Sequence, residues 1–140
     1  MALAASTAAA QPANGVAVEV VTVLASNIDT AFDPRLRAHQ PYFVSFPYTS
    51  YRLLRTQTQL VPWGGRARFN LPGRGELRVW PKAREESGVA LNLALRGAGR
   101  RHLVDTSVCL QDHRVLLVGG PRHQHGVLIL LIGATAVVSR

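Results

Sequence analysis

Residues 106–132 read TSVCLQDHRVLLVGGPRHQHGVLILLI, and this segment constrains the fold more than any other part of the chain. It holds two short apolar runs, 115–118 and 127–132, punctuated by Gly119-Gly120-Pro121 and by Gly126. Runs this rich in Val, Leu and Ile suit strands buried on both faces. A chain that spends its apolar residues this way builds a sheet. Nothing in the segment reads as a reaction centre.

The rest of the chain continues the pattern. Over 16–24, Val16, Val18, Val20, Thr22 and Leu24 share one face while Ala17, Val21 and Val23 occupy the other, which predicts a central strand. Residues 48–60, rich in Thr and Tyr, read as a strand with mixed faces that can pair at an edge. Short strands follow at 67–71, then around Leu77, Val79 and Pro81. The cleanest period-two segment comes next, with Val89, Leu91, Leu93 and Leu95 alternating. Gly- and Pro-containing turns separate them at 62–65, 72–75, 85–88 and 97–100. Further strands are expected over 102–110, 114–118 and 127–137. Asp33-Pro34 is an N-cap followed by proline at the first helical position, which predicts one short helix over 34–45 that Pro41 kinks or ends. The expectation is a mostly β (α+β) domain over 16–140, a single antiparallel β-sandwich or barrel-like fold of about eight strands with one short helix near 34–45. Consecutive short loops argue for hairpins.

At 140 residues the chain is one domain, able to bury about two-thirds of its unfolded surface. Hydrophobic content of 47% with 17% charged residues separates it from disordered chains. Net charge is +8, and fifteen of the sixteen cations are arginine, Lys82 being the single lysine. They are dispersed, so there is no basic arm, yet any polyanion should attract the surface at low salt. The one cysteine, Cys109, excludes an internal disulfide and, flanked by Val108 and Leu110, is expected to be a buried inert thiol. Residues 1–15 read as a flexible leader or signal-peptide remnant. The small residues ending at Ala8-Ala9-Ala10 resemble a cleavage region, which makes export the expected location. The apolar run 127–138, interrupted by Gly133, is too short to span a bilayer as a helix.

Few residue groups suggest chemistry. His123 and His125 flank Gln124, and in an extended segment both rings would share a face, so with His113 they are the candidate metal ligands. An exposed polar loop is the favoured reading of the same residues, and no cofactor is expected. Ser107 and Cys109 lie on a strand without a nucleophile elbow, and Asp105 is too close to His102 and Ser107 to assemble a triad. Glu85-Glu86 sit in a turn. The three glycine-rich turns join strands to strands, whereas a phosphate loop requires a following helix. The reading is therefore non-enzymatic. A set of aromatic and arginine residues remains, namely Tyr48, Tyr51, Arg52 and Arg55 with Trp63, Arg68 and Trp80, and these are the candidate interaction residues. Interleaved on one antiparallel face, together with Arg66, Arg74, Arg78 and Phe69, they would serve a single-stranded nucleic-acid-binding barrel.

Three segments resemble the β-core of secretins, the outer-membrane channels of bacterial secretion and pilus systems. They are GELRVWPKAREESGVALNLAL from Gly75, LVDTSVCLQDHRVLLVGG from Leu103, and GVLILLI from Gly126. Their order and spacing within 75–132 resemble a strand ending in Val-x-Pro, an alternating strand, a hairpin and an apolar closing strand. The resemblance implies a stand-alone β-module and not a channel, because only six residues stand where the channel lip would be. With the leader, it implies an exported structural or protein-interaction domain of the cell envelope or exterior, able to self-assemble. Single-stranded nucleic-acid binding is the alternative.

Overall fold

The computed structural model describes residues 14–86, 88–97, 102–111 and 114–138. Within them eight strands follow one another: β1 Asn14–Ser26, β2 Ser50–Pro62, β3 Ala67–Leu71, β4 Gly75–Arg84, β5 Gly88–Arg96, β6 His102–Gln111, β7 Leu116–His123 and β8 Gly126–Val138. They form two antiparallel four-stranded sheets, ordered β2-β1-β8-β7 and β3-β4-β5-β6. Read around the molecule, the strands keep chain order and β8 returns beside β1. The backbone ladder is interrupted at two seams, β2/β3 and β6/β7, which divides the ring into the two layers of a sandwich. The mostly β architecture anticipated from the alternation is present. The expected leader lies outside the described residues as far as residue 13, while Asn14 and Gly15 already pair with Val138 and Val137.

Position in the sheet explains which runs are buried twice. β1 and β8 are central, and β8 sends Leu128, Leu130 and Ile132 inward and Ile129 and Leu131 outward, each no more than 2% exposed. The run at 115–118 differs from expectation, because β7 is an edge strand and leaves it half-buried. Nor do Gly119-Gly120-Pro121 end that strand. A bulge between Gly119 and Arg122 absorbs them, as an edge strand permits, and only Gln124 and His125 turn the chain. Gly126 faces Ser26 where any side chain would run into the Ala25 carbonyl.

The first core lies between the sheets, Val16, Val18, Val20 and the inward residues of β8 packing on Phe69, Leu77, Val79, Leu91, Leu93 and Leu95. A second core lies on the opposite face of the first sheet, under residues 27–49. There Asp33 caps a 3-10 segment, Pro34–His39, by accepting the Arg35 N–H at 3.0 Å. One α-helical turn follows, Gln40–Phe43 (α1). The helix expected over 34–45 is thus split. Pro41 has no N–H to offer the Arg37 carbonyl, and the Gln40 N–H takes that carbonyl three residues back. The segment is tied to β2 by Tyr51 N–H donating to Ala31 O (3.0 Å), Asp33 N–H to Tyr51 O (2.9 Å) and Leu53 N–H to the Asp33 carboxylate (3.1 Å). It lays Leu36 and Phe43 over Val21, Val23, Ile129 and Leu131. The arginine beside Asp33 and the backbone amides it caps hold its carboxyl well below the usual aspartate range.

β2 occupies a sheet edge, as its mixed faces suggest, but side chains close the seam to β3. Arg55 donates to the Asn70 carbonyl (2.9 Å), Gln57 to the same oxygen (3.2 Å) and Gln59 to the Arg68 carbonyl (2.8 Å). These bonds occupy acceptors that an edge strand would otherwise offer to another chain. No helix among the described residues is long and apolar enough to cross a membrane.

Candidate anion-binding face

Because β3 to β5 bury alternate residues in the first core, their other residues must point away from it. The outward set includes Arg68 on β3, Glu76, Arg78 and Trp80 on β4, and Asn92 and Arg96 on β5. Register places Arg68 directly opposite Arg78, Glu76 opposite Arg96, and Trp80 opposite Asn92. A recess of about 550 Å3 opens on this face, and its lining includes Arg68, Arg74, Arg78 and Arg96 together with Glu76.

Glu76 bridges two of the guanidinium groups. Its Oε2 lies 2.9 Å from Arg68 Nε and its Oε1 accepts from Arg78 Nε at 2.8 Å. Arg78 and Glu76 are only 22% and 20% exposed, so this pairing is screened less than an ordinary surface bridge. Arg96 Nε is buried and has no partner among the described residues. Four arginines against one carboxylate leave a formal excess of three positive charges in the recess.

Three local choices here work against stability. Arg68 and Arg78 are like charges directly opposite one another across a ladder, a repulsion that the single Glu76 carboxylate must offset for both. Arg74 follows Gly73 in the left-handed region, with φ of 69° and 79°, where a side chain other than glycine costs about 1–2 kcal/mol. The Arg96 Nε gives up hydration with no compensating acceptor among the described residues. All three converge on one recess with excess positive charge, an arrangement able to hold an anion. Beyond the recess, Trp80 is half-buried on the same face, and Ser107 Oγ donates to Asn92 Oδ1 at 2.7 Å, leaving the Asn92 amide as a donor. Asp105 borders the cationic region, standing across β5 from Arg78 in register.

The structure separates the seven candidate interaction residues. Arg68 and Trp80 do share this face. Tyr51 is 5% exposed in the second core, its ring 4.6 Å from Phe43, and burial there raises its pKa. Tyr48 packs on that core too, and Trp63 packs on the first. Arg52 pairs with Asp29 at 3.2 Å, and Arg55 seals the β2/β3 seam. The interleaving seen in the sequence is broken because β2 belongs to one sheet and β3 and β4 to the other.

Of the candidate metal ligands, His113 lies outside the described residues. His123 and His125 do not share an extended segment, because Gln124 between them turns the chain with φ of 53°. His123 ends β7 close to Gly73, whereas His125 borders a small recess with Tyr48 and Arg122. No group of three His, Cys, Asp or Glu side chains converges among the described residues. Cys109 is exposed, contrary to expectation, because β6 is an edge strand and this residue takes its outward position.

Arg96 and Glu76 were missed as site residues by sequence reading. Their signal was present as outward slots in alternating strands, but only the β4/β5 register shows that they stand opposite each other. Comparison with protein families, with curated proteins and with solved structures finds no match to this chain.

Proposed function

We infer that the chain is a non-enzymatic binding module that holds an anionic ligand on the outward face of its second sheet. The observation that carries this is one carboxylate shared by two guanidinium groups, inside a recess lined by four. Glu76 engages Arg68 and Arg78 through Nε, so their terminal nitrogens keep the paired N–H geometry that suits a phosphate or carboxylate. Partial burial of Arg78 strengthens its bonds relative to solvent-exposed ones. The test is retention of inorganic polyphosphate by the purified chain at low ionic strength, compared with Arg78→Gln and Arg96→Gln. Each substitution should weaken binding about tenfold, the loss of one charge-assisted contact. Absence of binding by the unsubstituted chain at low salt overturns the reading.

One observation favours a second reading, self-association. The part of the first sheet that residues 27–49 leave uncovered exposes Leu60 (45%) beside Thr58, Glu19 and Thr135. Export to the envelope belongs with that reading, supported by the Ala-rich residues 1–10. A concentration-independent monomer by analytical ultracentrifugation would sink it.

A further inference from the structure

We propose that the anion held on this face is the backbone of single-stranded nucleic acid, with Trp80 as the stacking surface for a base. The inference rests on the anion-binding reading and adds the ligand class to it. The face is ordered in rows. Arg68 and Arg78 form one, Glu76 and Arg96 a second, and Trp80 with Asn92 a third on the far side of Arg78. Successive rows on one side of a strand are about 6.6–6.8 Å apart, so the indole and the Arg78 guanidinium are spaced as neighbouring sites along one ligand. A base stacked on Trp80 would meet the Asn92 amide N–H, left as donor by the Ser107 bond to Oδ1, at its edge, while its phosphates reach the arginine rows. An acidic polypeptide satisfies the arginines equally well, but its carboxylate side chains have no π-face to place on the indole. A duplex presents its phosphates but keeps its base faces stacked inside. The single strand is the anion that uses all three rows.

Tryptophan count makes the proposal directly measurable, since Trp63 and Trp80 are the only two. Trp63→Phe keeps an aromatic ring at the β2–β3 turn and leaves Trp80 as the sole indole. The full chain with that substitution is titrated at low salt with oligothymidylate, then with polyphosphate and polyglutamate of matched charge. Oligothymidylate should quench the Trp80 emission saturably and the other two polymers should not. Its affinity should fall with a log–log salt slope of about −3, the value for four phosphate contacts on a single strand. In parallel, fluorescence polarisation of labelled oligothymidylate with the unsubstituted chain gives the affinity independently of any variant. Trp80→Leu should lower that affinity about 5- to 150-fold and leave polyphosphate binding unchanged. If polyphosphate or polyglutamate binds as tightly as the oligonucleotide and Trp80→Leu changes nothing, the nucleic-acid inference fails while the anion reading stands. If no polymer binds, both fail.

Discussion

On the outward face of the first sheet, residues 27–49 lay Leu36, Phe43 and Phe32 across Val21, Val23 and Ile129, and a second apolar core forms. On the outward face of the second sheet, β3 to β5 carry arginines, a glutamate, a tryptophan and an asparagine around a recess. The two sheets have equal strand number and share one core, so architecture does not distinguish them. Strand composition does. β1 over 20–25 and β8 over 127–132 are apolar at both parities and must be covered twice, and the chain supplies the cover from its one long connection. β4 from Gly75 to Pro81 alternates, and β5 places only the small Ala90 and Ala94 among its outward apolar positions, so both need covering once. The outward face of the first sheet is thereby largely spent on packing, and that of the second is left open to solvent.

The largest expected effect comes from removing the cover. Phe43→Ala should destabilise the chain by about 3–5 kcal/mol, as for other buried phenylalanines, read as a shift in urea midpoint. A change below 1 kcal/mol would show that the second core is a passive overlay and that both sheets stand on the central core alone.

Acid should weaken the cover more gradually. Asp33 bonds Arg35, the Arg35 N–H and the Leu53 N–H, and these hold its folded pKa below the unfolded value. Its stabilising contribution is therefore complete above the ordinary aspartate range, near pH 4, and is lost as pH falls toward the folded pKa. Near-ultraviolet circular dichroism from the Phe32, Phe43 and Tyr51 cluster should change over that acid range, and in Asp33→Asn the change should already be present at neutral pH. An identical acid profile in both proteins would detach Asp33 from the cover.

The smallest effect sharpens the contrast from the other side. Arg74→Gly relieves a positive φ and removes one recess cation. It should raise stability by up to about 1 kcal/mol while weakening polyphosphate binding. Opposite signs in the two measurements identify a residue kept for binding at the expense of stability. Loss of both would make Arg74 a structural part of the turn.

Legibility in the sequence followed periodicity. Alternation in 89–95 and the doubly apolar run in 127–132 are local properties, and both segments form the strands they suggest, β5 and β8. Two misreadings are local, the helix split at Pro41 and the turn at Gln124 that parts His123 from His125, and the others concern relations between strands. Cys109 has an apolar neighbour on each side, yet exposure was decided by β6 lying at an edge. Gly119-Gly120-Pro121 has the composition of a loop, but an edge strand takes it up as a bulge. The seven aromatic and arginine residues are close in sequence, and the crossing from β2 to β3 divides them between two sheets.

By itself the sequence determined the strands, their inward faces, the Asp33 cap and the surplus of arginine, because each depends on residue type and short-range spacing. Tertiary structure alone decided that Arg68 faces Arg78, that Glu76 faces Arg96, and that Tyr51 is buried instead of displayed. Register and layer assignment are long-range outcomes. They follow from which apolar faces find each other, and a one-residue slip of β3, β4 or β5 would have turned that strand's outward arginine into the core.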